Sequence, residues 1–128
     1  MAESAAVMRL HALRGAISVD RNEREAILGA TTELMSELMA RNDLGAEAMV
    51  SCLFTMTDDL NAEFPAVAAR AMGLEGVPLL CAREVPVPGA LPRVIRALVH
   101  CHMPDGRPAR HVYLGEAASL RTDLEAAQ

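Results

Sequence analysis

The sequence contains a set of side chains that could bind a small anion and stabilise charge on it. They are Arg14, Arg70, Arg96, Arg121, Glu84 and Tyr113. Arg96 is the most informative of them, because its neighbours within residues 94–98 are Val, Ile, Ala and Leu. A guanidinium in such surroundings is costly unless an anion meets it, and that anion can be a protein carboxylate or a ligand. The set is rich in cations and poor in acid–base groups, so it favours binding a small polyanion over transferring protons.

Other familiar kinds of catalytic site are not indicated. The sequence has no glycine-rich phosphate loop, no serine nucleophile elbow and no Cys-x-x-Cys pair. His100 and His102 would share one face of a strand, but two ligands do not make a metal site and no third is suggested. We therefore expect no metal.

The three cysteines are interpreted in two ways. Cys52 and Cys101 lie in apolar runs and are expected to be inert thiols of the core. Cys81 is followed by Arg83 and Glu84 at the end of a predicted strand, so it is either a small buried residue or part of a pocket. An odd number of cysteines without paired spacing suits a reducing compartment, and we expect a cytoplasmic protein.

Composition excludes further classes of function. A nucleic-acid binder normally has a basic face and aromatic stacking platforms, whereas this chain has a net charge of −5, one tyrosine and two phenylalanines. No apolar run approaches the roughly 20 residues of a membrane span. The N-terminus lacks the basic and apolar regions of a signal peptide. Neither a nucleic acid nor a membrane is therefore an expected partner.

Short apolar runs bounded by turn residues predict the strands that must position these side chains. They cover residues 8–19, 49–57, 77–82, 94–99 and 111–114. Glu84 follows the third of these strands, and a proline-rich stretch of residues 85–93 predicts a stiff loop before the fourth. Arg93, at the end of that loop, is interpreted as solvated.

Helical patterns fill the remaining sequence. Asn22 with Glu25 three residues later predicts the start of a long helix that ends near Asn42. Its core-facing stripe would consist of Ile27, Ala30, Leu34, Met35, Leu38 and Met39. Pro65 suits the first turn of a short helix that Gly73 stops.

The tally of about five strands, one long helix and short helical pieces predicts an α+β or mixed α/β fold. At 128 residues the chain is expected to be a single domain. Residues 1–6 are interpreted as a loose leader and residues 121–128 as a polar C-terminal tail.

Several segments together carry a resemblance to a known family. They are Leu13-Arg14-Gly15-Ala16, Thr57-Asp58-Asp59-Leu60, Phe64-Pro65-Ala66, Val77-Pro78-Leu79, Cys81-Ala82-Arg83-Glu84-Val85, Val94-Ile95-Arg96 and Arg110-His111-Val112-Tyr113-Leu114. In this order and spacing, from about Met8 to Leu124, the chain resembles the small monofunctional chorismate mutases of the trimeric α/β-barrel class. Each segment is common by itself, but their shared register is specific.

The resemblance implies a fold, an assembly and a reaction. Each subunit would carry a mixed five-stranded sheet with helices, and three subunits would form a pseudo-barrel with active sites in the clefts between neighbours. The reaction would be the Claisen rearrangement of chorismate to prephenate, on the route to phenylalanine and tyrosine. It would use no cofactor, no metal and no covalent intermediate.

The resemblance also implies roles by position. Arg96 would bond the ether oxygen of chorismate, Arg14 and Tyr113 would hold its side-chain carboxylate, and Glu84 would accept a hydrogen bond from the ring hydroxyl beside Cys81. The residues expected to line or support the cleft are Phe64, Ala66, Arg70 and Leu80. Arg121 and the tail would close over the mouth.

The sequence departs from the family pattern at two positions that bear on the site. Val67 stands where some relatives have a cation, which weakens carboxylate steering there. Thr122 replaces the proline of the family's Leu-Arg-Pro-Asp tail, so the tail is less stiff. Residues 102–109 also diverge, and we assign them no function.

Three alternatives stay open on the sequence alone. A non-catalytic trimer that binds small dicarboxylates could use the same scaffold, because fold does not fix function. A trimeric reactive-imine deaminase has a broadly similar architecture, but its Arg-x-Cys-Val-Glu segment is missing here. In a purely structural trimer the arginines would form only interface salt bridges. Loss of chorismate absorbance on adding the protein separates the enzyme from all three.

Overall fold

A computed structural model describes residues 7–120 of the chain. The strands are β1 (Met8–Ser18), β2 (Met49–Met56), β3 (Leu79–Arg83), β4 (Val94–Pro104) and β5 (Val112–Leu114), and the helices are α1 (Arg24–Arg41) and α2 (Pro65–Ala69). A widened turn at Arg70–Leu74 continues α2, and short 3₁₀ segments lie at Ala46–Ala48 and Gly115–Ala118. The predicted leader and tail lie outside the described residues, so the division of the chain into one domain with these two ends stays a prediction.

The strands form one mixed sheet in the order β3-β2-β4-β1-β5. The central strand β4 runs antiparallel to β1 and to β2, whereas β3 is parallel to β2 and β5 is parallel to β1. The five predicted strands and the mixed α/β class are thereby confirmed. β4 and β1 are long and central, so side chains on these two strands lie on the most firmly paired part of the sheet.

Helix α1 covers one face of the sheet. Its predicted stripe is confirmed, since Ile27, Leu34 and Leu38 are fully or almost fully buried. Gly15 of β1 lies directly beneath this helix, where an added Cβ would stand only 2.9 Å from Leu38 Cδ1. The glycine therefore permits a close approach of helix and strand.

Several predicted boundaries differ from the structure; β3, for example, begins at Leu79 rather than Val77, and two other differences have a clear cause. The helix begins at Arg24 rather than Asn22, because the Asn22 side chain bonds Asn61 and the backbone N–H of Ala62 instead of capping the helix. Strand β4 continues past Val99 to Pro104. The predicted strand covered only the apolar run up to Val99, but the polar residues that follow alternate with buried ones and so continue the period of two.

The opposite face of the sheet is largely open among residues 7–120. Leu10 of β1 and Leu80 of β3 are 54% and 60% exposed. Residues 115–120 contact only one end of this face, where Ala16, Val94 and Ala117 are fully buried. We call the rest the open face. None of the described helices is long and apolar enough to cross a membrane.

Asn42 fastens the end of α1 to the segment before β5. Its side-chain N–H groups donate to the carbonyl oxygens of Leu38 and Arg110, and its Oδ1 accepts from the Arg110 N–H, at 2.8–2.9 Å. The residue is only 2% exposed. An Asn42→Ala variant should lose about 2–3 kcal/mol of unfolding free energy, because buried backbone groups are left without partners. Urea unfolding at fixed protein concentration measures the change.

Asn22 provides the matched control for this prediction. It also makes three side-chain hydrogen bonds, but it is exposed, so water can replace them. Asn22→Ala should therefore cost about 1 kcal/mol or less. Equal losses in the two variants would contradict the role given to burial.

Candidate active site

A cavity of about 380 Å³ opens on the open face of the sheet. Its lining comes from strands β1, β2, β4 and β5 and consists of Arg14, Gly15, Leu53, Thr55, Arg96, Ala97, Leu98 and Tyr113. Three of the predicted catalytic residues, Arg14, Arg96 and Tyr113, therefore share one cavity. We call it the cationic cavity.

Strand register explains why these residues meet. Arg96 of β4 lies opposite Ala16 of β1 on one side and opposite Thr55 of β2 on the other. Tyr113 of β5 pairs with the same Ala16. The row across the sheet is therefore Tyr113, Ala16, Arg96 and Thr55, and the small alanine leaves room between the phenol and the guanidinium.

Glu84 holds the Arg96 guanidinium from one side. Arg96 Nε donates to Glu84 Oε2 at 2.8 Å, and the Thr55 hydroxyl donates to the same oxygen at 2.8 Å. The side chain of Glu84 is 16% exposed and that of Arg96 is 37% exposed. The Glu84 carboxylate therefore pairs with the Arg96 guanidinium, and the cationic cavity remains open beside this pair. Among residues 7–120, the terminal N–H groups of Arg96 and the Oε1 of Glu84 make no hydrogen bond.

Arg14 and Tyr113 supply further groups for an anion. The Arg14 side chain is exposed at the cavity and forms no ion pair with the described residues, while its backbone N–H donates to His111 Nδ1 at 3.0 Å. The Tyr113 hydroxyl is buried and has no hydrogen-bond partner within residues 7–120. Buried polar groups normally have partners, so the unpartnered hydroxyl of a residue that lines the same cavity as two arginines suits a ligand oxygen.

The chain matches one family over most of its length. A family model described as chorismate mutase type I matches residues 10–124. The chain belongs to this family. The chorismate mutase AroH of Thermus thermophilus is 52% identical over 119 residues, covering 91% of this chain and 97% of that protein. AroH of Bacillus subtilis (strain 168) is 38% identical over 120 residues, covering 91% and 94%.

A solved structure agrees with the sequence relatives. The chorismate mutase from Clostridium thermocellum superposes with a TM-score of 0.83 at 39% identity, covering 85% of this chain and 98% of that one. The resemblance carried by the sequence motifs is thereby confirmed, and so is the mixed five-stranded fold of the type I chorismate mutases.

Two residues predicted to line the cleft with Arg96, Cys81 and Phe64, do not line the cationic cavity of the same chain. Cys81 pairs with the fully buried Phe54 on the helix-covered side of the sheet, whereas Thr55 and Arg96 face the other side. With Phe64, which is 62% exposed, Cys81 lines a second cavity of about 380 Å³. We call it the apolar cavity because most of its surface is apolar, although its lining also includes Asp58, Glu63 and Arg83. Within one chain, these residues are not brought together with Arg96.

The other predicted lining residues are dispersed. Ala66 is 6% exposed in α2 and belongs to the core, and Arg70 is exposed at the end of that helix. Leu80 lies on the open face in line with Leu53, which lines the cationic cavity. Arg121 lies outside the described residues.

The loop that carries Phe64 is tied to the start of α1. Glu63 Oε2 accepts from Arg24 Nε at 2.9 Å, and Glu63 Oε1 accepts from the Phe64 N–H at 2.9 Å. The hydrogen bond from the Phe64 N–H, followed by the Arg24 contact, lowers the pKa of Glu63. The carboxylate therefore stays ionised at neutral pH and holds the exposed phenylalanine in place.

The positions of the cysteines and histidines can be compared with the predictions of core thiols and of a site without metal. Cys52 and Cys101 are buried free thiols as expected, and burial raises the pKa of Cys52 to about 12. Within residues 7–120 no group of three or more His, Cys, Asp or Glu side chains could hold a metal ion. His100 instead contacts the Ser51 hydroxyl at 3.1 Å.

The sequence did not indicate that Thr55 belongs to the site, and it led us to expect a solvated Arg93. Thr55 lies in a largely apolar strand, and nothing in the sequence distinguishes its hydroxyl from that of Ser51 on the same strand. Arg93, expected to be solvated, donates from Nε to the carbonyl oxygen of Val19, and its N–H donates to both carboxylate oxygens of Asp59. The turn residue Asp59 thus anchors the start of β4, three residues before Arg96.

Proposed function

We propose that this protein rearranges chorismate to prephenate in the biosynthesis of phenylalanine and tyrosine. The observation that carries the proposal is the cationic cavity, in which a protein carboxylate holds Arg96 by one nitrogen and leaves its other N–H groups free of described partners. The rearrangement is intramolecular: one C–O bond breaks, one C–C bond forms, and no atom enters or leaves. Such a step needs a folded substrate and stabilised charge, and it needs no general base.

Arg96 and Glu84 would act at the reacting end of the substrate. The ether oxygen gains negative charge as its bond to carbon breaks, so the terminal N–H groups of Arg96 would bind it more strongly in the transition state than in the ground state. Glu84 Oε2 is taken by Arg96 and Thr55, which leaves Oε1 to accept a hydrogen bond from the ring hydroxyl.

Arg14 and Tyr113 would hold the side-chain carboxylate of chorismate. A guanidinium with no ion pair among the described residues and a buried hydroxyl without a partner lie in the same cavity as Arg96. A carboxylate can satisfy both, and a charge-assisted hydrogen bond from arginine is among the strong ones. The carboxylate would thereby be fixed at one end while the ether oxygen faces Arg96.

The protein would function as a homotrimer whose sites lie between subunits. Two observations support this assembly: the apolar open face is uncovered among the described residues, and the cationic and apolar cavities lie on opposite sides of one sheet. Placing the apolar cavity of one subunit over the cationic cavity of the next would enclose a ligand with both an apolar ring and carboxylates. Phe64, Cys81, Ala66, Arg70 and Leu80 would then line or support the cleft from their respective subunits, and Arg121 would help close it.

The alternatives are less well supported. A non-catalytic dicarboxylate binder would use the same cavity, but both curated relatives are named chorismate mutases.

The three free cysteines of the protein support a reducing, cytoplasmic location.

The decisive measurement is the loss of chorismate absorbance on adding purified protein, with prephenate identified as the product. Binding of chorismate without its consumption would support the non-catalytic trimer instead.

A further inference from the structure

We propose that Thr55 is a positioning residue that keeps Arg96 available to the substrate. This inference rests on the proposed function and deepens it. The Thr55 side chain lies on the open face between Ala82 of β3 and Arg96 of β4, which are its Cα partners in the sheet. Its hydroxyl donates to Glu84 Oε2, the same oxygen that accepts from Arg96 Nε. Thr55 also lines the cationic cavity.

Glu84 needs this second contact because it lies just beyond the end of β3. Its backbone N–H is held by the carbonyl oxygen of Met56 at 2.9 Å, but its long side chain keeps rotamer freedom that a single contact would only partly remove. With Oε2 fixed by both Thr55 and Arg96, the plane of the carboxylate is set. Oε1 then has no partner among residues 7–120.

The way in which Arg96 and Glu84 pair decides what Arg96 can do. Arginine and carboxylate commonly form two parallel hydrogen bonds. Here the described contact is a single bond from Nε, which leaves the terminal N–H groups for a ligand. Without the Thr55 hydroxyl the carboxylate is free to turn and take a second bond from a terminal nitrogen of Arg96. The terminal N–H groups of Arg96 would then be bonded to Glu84 and would not be available to the ether oxygen.

The test compares Thr55→Val with Thr55→Ser. Valine keeps the shape of threonine and removes the hydroxyl. We therefore expect kcat to fall roughly 10- to 100-fold, because this factor corresponds to the free energy of one hydrogen bond to a charged group. KM should change much less, because binding of the substrate carboxylate through Arg14 and Tyr113 is untouched. Serine keeps the donor and should restore kcat to within about threefold of wild type.

Ser51→Ala is the matched control. Ser51 lies on the same strand and the same face, its hydroxyl also bonds one side chain, and it does not line the cationic cavity. Its removal should leave kcat within about twofold. Thermal unfolding of all three variants shows whether any loss reflects folding alone.

The outcomes separate this inference from the proposed function. Wild-type protein that does not consume chorismate refutes the proposed function alone. An active wild type with unchanged kcat in Thr55→Val, or with equal losses in the valine and serine variants, overturns the role of Thr55. A crystal structure of Thr55→Val gives a readout independent of activity: a second Arg96–Glu84 hydrogen bond is expected, and an unchanged single bond contradicts the inference.

Discussion

Replacing Arg96 by lysine is expected to lower kcat by about a thousandfold or more while leaving the fold intact. Loss of one neutral oxyanion donor costs about 100- to 1,000-fold, and loss of a charged donor in a half-buried cavity should cost at least as much. The structure gives a specific reason for the failure of lysine. Glu84 already takes one nitrogen of Arg96. The single ammonium of lysine would pair with that carboxylate and leave no donor for the ether oxygen. Turnover is measured by the loss of chorismate absorbance.

Arg41→Lys is the matched control for this substitution. Arg41 Nε contacts Glu37 Oε1 at 2.8 Å, the same kind of contact at the same distance, but at the surface of α1 and outside the cationic cavity. It should leave kcat unchanged. Circular dichroism of both variants checks the fold. Near-native turnover in Arg96→Lys would remove Arg96 from the proposed mechanism.

The architecture could be predicted from the sequence because its signals are local. The stripe of α1 and the apolar runs of the strands depend on periodicity within a few residues, and both are confirmed. β4 was predicted too short for an instructive reason. The predicted strand followed the apolar run and ended at Val99, whereas His100 and His102 continue it on the open side while Cys101 and Met103 are buried between and beyond them. A strand with one open face tolerates polar residues in alternate positions.

The candidate site was predictable only in part. The apolar neighbours of Arg96 indicated that an anion must meet it, and a protein carboxylate was one of the two possibilities. The sequence around Arg96 and Glu84 could not show that their contact uses only one nitrogen of Arg96 and leaves the cationic cavity beside it. This geometry depends on the register of β4 with β2. Thr55 was missed for the same reason, since its partner Glu84 is 29 positions away in the chain.

The placement of Cys81 and Phe64 reveals a different limit of the sequence. The resemblance assigned them to the same cleft between subunits as Arg96, but it did not say which subunit supplies each residue. In the structure they line a separate cavity on the helix-covered side of the sheet. If both cavities contribute to catalysis, they must come from different subunits.

Mixing two inactive variants should restore activity if the sites lie between subunits. Arg96→Lys disables the cationic cavity, and Phe64→Asp disables the apolar one by removing its aromatic ring and adding a carboxylate to the Asp58 and Glu63 that already line it. Phe64 is 62% exposed, so its replacement should leave the subunit folded. In trimers re-formed from equal amounts of both variants, about one quarter of the sites would pair two intact halves in a closed head-to-tail ring. Activity should therefore rise from near zero to about a quarter of the wild-type value.

A second mixture is the control for this experiment. Arg96→Lys and Glu84→Ala both damage the cationic cavity, so every site in their mixed trimers has a defective half and the mixture should stay inactive. The mass of each assembly in solution shows that trimers have formed. Failure of the first mixture to recover activity, with trimers present, would contradict shared sites and leave each chain to catalyse alone. Recovery in both mixtures would mean that the cationic cavity is itself divided between subunits. Recovery in the first mixture alone is the result expected if each site combines the cationic cavity of one subunit with the apolar cavity of the next.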